Sequence, residues 1–63
     1  MSEQQIEVGQ IWRRKRTGRH IRIVREVRGD DWRWEGHDYR ARGASYGCYI
    51  RRDYELIEQP ADN

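Results

Sequence analysis

His20-Ile21-Arg22-Ile23-Val24-Arg25-Glu26-Val27-Arg28-Gly29-Asp30-Asp31-Trp32-Arg33-Trp34-Glu35 is the stretch that decides the fold class. Its first nine residues are rich in β-branched side chains and mostly alternate apolar with charged, the period-two pattern of a half-buried strand. Ile21 and Ile23 fall on one face. Val24 breaks the alternation and Val27 returns to the isoleucine face, which predicts a bend or bulge near Val24. Arg28-Gly29-Asp30-Asp31 reads as a hairpin turn, with Gly29 able to take positive φ. In Asp31 to Glu35 both tryptophans share one face and the charges take the other.

The segments on either side continue in the same period. Val8 to Arg13 reads as a short opening strand, followed by a basic loop, Arg13 to Arg19, with a turn at Thr17-Gly18. Gly36 to Gly43 either extends the third strand or forms a loop. Ala44 to Ile50 reads as a fourth strand with Tyr46, Cys48 and Ile50 on one face. Arg51-Arg52-Asp53 has the length of a single 3-10 turn before a last short strand, Tyr54 to Glu58. No window of useful length places apolar residues at helical spacing. The expected interior is shared by Val8, Trp12, Ile21, Ile23, Val27, Trp34, Cys48, Ile50 and Leu56, with each tryptophan able to bury ~150–250 Å².

Five short strands, tight turns and one helical turn before the last strand resemble an SH3-like barrel of the KOW or Tudor kind. The opening Val8-Gly9-Gln10-Ile11-Trp12 and the closing Tyr49-Ile50-Arg51-Arg52-Asp53-Tyr54-Glu55-Leu56-Ile57 are similar to the two ends of many short, uncharacterised bacterial and phage proteins of this class. The resemblance spans roughly residues 6–58 and implies an all-β, single five-stranded barrel. Residues 1–5 and 59–63 read as flexible ends. Fold alone does not imply function.

The chain has 63 residues, of which 35% are hydrophobic and 38% charged. That leaves room for one small domain and no deep enclosed pocket. No apolar run reaches the ~20 residues a membrane span needs, and no signal-peptide core precedes the body. With one cysteine, Cys48, there is no internal disulfide, and a reducing cytoplasm is the expected compartment.

The net charge of +2 hides an uneven distribution. Residues 8–52 hold all 13 basic residues against five acids, a net of +8, between acidic ends. Twelve of the 13 cations are arginine, whose planar fork of donors suits phosphate and carboxylate. Arg13-Arg14-Lys15-Arg16-Thr17-Gly18-Arg19 places five cations in seven residues. Arg40 and Arg42 form a second group, and Arg51 and Arg52 a third.

No catalytic or metal constellation competes with this. Cys48 with His20 or His37 could form a nucleophile–base pair, but its place between Tyr46 and Ile50 reads as a small buried hydrophobe. His20, His37 and Cys48 lack the paired spacing of a zinc site. Asp30-Asp31 falls in a turn, and Asp53 and Glu55 have no pocket around them. Gly43-Ala44-Ser45-Tyr46-Gly47 carries no phosphate-loop pattern. Enzymatic activity, a cofactor and a bound metal are therefore not expected. Surrounding positive charge disfavours a methyl-lysine cage, and a basic first loop disfavours the proline-rich ligands of typical SH3 domains.

The leading expectation is a non-catalytic nucleic-acid-binding module. Arg13, Arg14, Lys15, Arg16, Arg19, Arg40 and Arg42 would contact phosphates, and Trp32 and Tyr39 would stack on bases. The alternative is a protein-interaction module, such as a phage or mobile-element protein docking an acidic host surface on the same arginines. A third reading is a structural subunit that self-associates through a barrel edge, and the expected state is a monomer or weak homo-oligomer.

Overall fold

The computed structural model describes residues 5–60. Five strands and one helix follow in order: β1 Ile11–Arg14, β2 His20–Arg28, β3 Asp31–Gly36, β4 Arg42–Tyr46, α1 Gly47–Asp53 and β5 Tyr54–Glu58. The strands form one antiparallel sheet ordered β4-β3-β2-β1-β5. The chain is mostly β, as expected, but the hydrogen-bonded ladder does not close into a barrel. β4 and β5 stand at its two edges, with α1 joining them in sequence. Among the described residues no helix is long and apolar enough to cross a membrane.

The central hairpin forms where the sequence places it. Gly29 and Asp30 have φ of 52° and 67°, the left-handed pair that a two-residue hairpin turn needs. The register runs Ile23 against Trp34, then Arg25 against Arg33, so Val24 is the extra residue of a bulge. A second irregularity between Glu26 and Arg28 turns the end of β2 away from the core. Val27 is consequently exposed and does not rejoin the isoleucine face.

The stretch after Ser45 departs from the expectation. The fourth strand ends at Tyr46, and Gly47–Asp53 is an α-helix in place of a strand continuation and a single 3-10 turn. The cause is tertiary. The Gly47 N–H donates to the Asp30 carbonyl at 2.8 Å, and a Cβ on Gly47 would overlap the Asp30 carboxylate. Held there, the chain winds inward and buries Gly47 and Ile50, one helical turn apart. Cys48 is thereby turned outward and is exposed, not a core residue.

The core is Ile6, Trp12, Ile21, Ile23, Trp32 and Ile50, with Trp34, Tyr54 and Leu56 packed against it and Ile11 also buried. Val8, expected inside, is exposed, because residues 8 and 9 form a turn with Gly9 at φ 96° and β1 begins only at Ile11. Among the described residues one polar side chain is fully buried with the apolar ones. Gln10 accepts from the Glu7 N–H at 2.8 Å and the Trp12 indole N–H at 2.9 Å. Its amide donates to the Gln5 carbonyl at 3.1 Å and to Gln59 Oε1 at 3.2 Å. Both groups facing Oε1 can only donate, which fixes the orientation of the carboxamide. Of the residues expected to form flexible ends, Gln5 and Gln59 carry these bonds, while 1–4 and 61–63 lie outside the described residues.

Candidate functional site

Alternation along the central strands sorts their side chains between two faces. In β3, Trp32 and Trp34 pack inward, so Arg33 and Glu35 stand on the outer face. The bulge at Val24 sets Arg25 directly across from Arg33. On the other side, Ala44 pairs with Arg33 and Arg42 with Glu35. The smallness of Ala44 keeps this face open.

The connection from β3 to β4 supplies a wall. The Gly36 N–H donates to the Ala41 carbonyl at 2.7 Å, and the His37 N–H donates to the His20 carbonyl at 2.9 Å. Residues 37–41 therefore fold back over the sheet. Gly36 is required for this, since a Cβ there would overlap the Tyr39 carbonyl. The outcome is an open groove of about 860 Å³, lined by Arg25, Arg33, Glu35, Tyr39, Arg40 and Arg42 among others. The Arg19 guanidinium lies over the Tyr39 ring, 4.9 Å from its centroid, and so joins the first loop to this wall.

Ion pairing divides the cations into two populations. Arg22 is engaged by Glu35, which removes the one carboxylate lining the groove as a free competitor for an anion. Arg33 pairs with Asp31 at 3.6 Å. Among the described residues Arg25, Arg40 and Arg42 make no ion pair. Outside the groove Arg13 pairs with Glu55 at 3.2 Å, Arg51 with Asp30 at 3.6 Å, and Arg52 with Asp53 at 2.9 and 3.0 Å, whereas Arg14, Arg16, Arg19 and Arg28 make no ion pair among the described residues.

The nine residues expected at the site are thus not one cluster. Tyr39, Arg40 and Arg42 line the groove, and Arg19 reaches it through Tyr39. Arg13 is turned toward β5, and Lys15 Nζ donates to the Arg52 carbonyl at 3.3 Å. Arg14 and Arg16 are exposed and make no ion pair among the described residues. Trp32 is a correction. It is 8% exposed, belongs to the core, and gives its indole N–H to Asp30 Oδ1 at 2.9 Å, so its ring is not available to stack on a base.

Sequence reading passed over Arg25 and Arg33. Counted back from the turn without irregularity, Glu26 would oppose Arg33; the register shift between Glu26 and Arg28, which the sequence does not announce, is what sets Arg25 opposite Arg33.

At the rim, His20 Nδ1 and Asp38 Oδ2 are 3.2 Å apart. Partial desolvation is the largest influence on the Asp38 carboxyl and raises it. The His20 hydrogen bond, the backbone and the His20 charge together outweigh that and hold it below its ordinary value. Among the described residues no group of three or more His, Cys, Asp or Glu is placed to hold a metal ion. Comparison with protein-family models, with curated proteins and with solved structures finds no match to this chain.

Proposed function

We propose that this chain is a small non-catalytic module that binds nucleic acid through the groove on the outer face of β2, β3 and β4. The observation that carries the reading is the gathering of Arg25, Arg33, Arg40 and Arg42 around one open groove whose only lining carboxylate among the described residues, Glu35, is already held by Arg22. Guanidinium forks are suited to phosphate oxygens, and among the described residues Arg25, Arg40 and Arg42 make no ion pair. Tyr39 is the ring beside them, and Arg19 braces it from the first loop.

We also read the sheet as a partly open SH3-like barrel. The order β4-β3-β2-β1-β5 and the helical segment ahead of the last strand support this.

The test is fluorescence anisotropy of labelled single- and double-stranded oligonucleotides, DNA and RNA, over a salt series. Each phosphate neutralised contributes a slope of roughly −0.9 in log K against log salt for duplex and −0.7 for single strands. Three to four groove arginines predict a slope near −3. An affinity that stays flat with salt, or that polyglutamate matches at equal charge, would overturn the reading in favour of an acidic protein partner.

A further inference from the structure

We infer that Arg25 and Arg33 form a two-arginine clamp for a single phosphate group. The two residues are direct cross-strand partners in the β2–β3 register and line the same groove. Like charges set opposite each other on a sheet face destabilise it, and among the described residues only an ion pair from Arg33 to Asp31 relieves the conflict. Arg25 has no ion pair among the described residues, and Arg33 has only Asp31 at 3.6 Å. The nearest lining carboxylate, Glu35, is taken by Arg22.

The bulge makes the arrangement specific. Continuing the Ile23–Trp34 register without a bulge would set Val24 against Arg33; the bulge keeps Val24 at the groove and adds Arg25 beside it. The extra residue brings Arg25 into register, so both guanidinium stems rise from adjacent strands about 5 Å apart. An anion between them converts the repulsion into two charge-assisted contacts. A phosphate group offers enough oxygens for both forks; Trp32 packs in the core, while partly buried Trp34 and Tyr39 are the rings that line the groove.

The inference rests on the groove being the anion-binding surface proposed above, and it names the phosphate, free or as a backbone diester, as the group recognised. It is tested by titrating inorganic phosphate into the protein, against chloride at equal ionic strength, and following the arginine Nε–H resonances. Phosphate is expected to shift the Arg25 and Arg33 signals. Arg25→Gln and Arg33→Gln should each weaken that response about tenfold, with the double variant little worse than either, as for two groups acting as a unit. Arg28→Gln, which removes an exposed arginine outside the groove, should leave it unchanged.

Without ligand at low salt, Arg25→Gln should also raise the unfolding midpoint, because the like-charge pair is relieved. A phosphate response equal to that of chloride, or equal losses in the Arg28 and Arg25 variants, would overturn the clamp. The oligonucleotide salt series would still decide the wider reading. A clamp that captures phosphate in a protein that binds no oligonucleotide would uphold this inference and overturn nucleic-acid binding.

Discussion

The side-chain oxygen of Gln10 accepts the indole N–H of Trp12 at 2.9 Å inside the core, and the same oxygen takes the Glu7 N–H. A single carboxamide therefore satisfies two donors on its oxygen and reaches both ends of the described chain through its nitrogen. In a chain this short, where the apolar core is small, such a clasp matters more than it would in a larger domain.

Replacing Gln10 by leucine would keep the volume and lose every bond. Two N–H donors would be stranded, at a cost of about 1–3 kcal/mol each, so a loss of roughly 2–6 kcal/mol in urea unfolding is expected. Gln10→Glu should also destabilise, since a carboxylate would face the Gln5 carbonyl and Gln59 Oε1 where the amide now donates. A variant within ~0.5 kcal/mol of the parent would show that water replaces the clasp at little cost.

Gly43 sits against the Trp34 ring, and a Cβ added there would lie 2.6 Å from the ring. Alanine in a strand ordinarily gains about 0.5–1 kcal/mol over glycine. Overpacking a ring that is already seated against the core costs about 1–3 kcal/mol, and the clash should win. Gly43→Ala is expected to lower the unfolding midpoint and to shift tryptophan emission.

Groove and loop arginines should separate in binding. Arg42→Gln removes a cation without an ion pair among the described residues and should reduce the salt slope for oligonucleotides by about one. Arg13→Gln breaks an exposed pair with Glu55 and should change the slope little, with a stability change of about 0–1 kcal/mol. Equal effects of the two variants would place the interface on the first loop instead.

Acid stability follows the carboxylates. The Arg52 hydrogen bond is the main cause that holds Asp53 below 3.8, aided by the charges of Arg52, Arg14 and Lys15 against an opposing desolvation. A depressed carboxyl contributes stability that is present above its unfolded pKa and is lost as pH falls through the folded one. The loss is therefore expected below pH 3.8, and Asp53→Asn should flatten that limb of the stability curve. At the other extreme, burial pushes the Tyr54 phenol above 10.0, so stability should decline as pH rises past that value.

Cys48 should react with a thiol reagent in the folded protein at a rate close to that of a free thiol, since the helix turns it outward. Protection until unfolding would mean that the strand expected over Ala44 to Ile50 forms after all.

The amino-acid sequence by itself determined the β character, the limits of β2 and β5, the turn at Gly29-Asp30 and the bulge at Val24. These follow from alternation and from turn chemistry, both of which act over a few residues and survive without knowledge of what lies across the sheet. It also disclosed the basic body between acidic ends, and with it Tyr39, Arg40 and Arg42.

Only the tertiary structure decided the rest. The alternating run Tyr46-Gly47-Cys48-Tyr49-Ile50 looks like a strand, but Asp30, seventeen positions before Gly47, turns it into a helix. Trp32 looks free to stack until the core claims it, whereas Trp34, expected inside, is only partly buried and lines the groove. The basic loop, the densest run of charge, is partly spent on partners from β5 and α1, whereas Arg25 and Arg33, inconspicuous in sequence, meet through the register of a bulged hairpin. Charge can be counted along a chain; whether a given arginine is already neutralised depends on which distant carboxylate the fold brings within a few ångströms, and that is a property of the folded molecule alone.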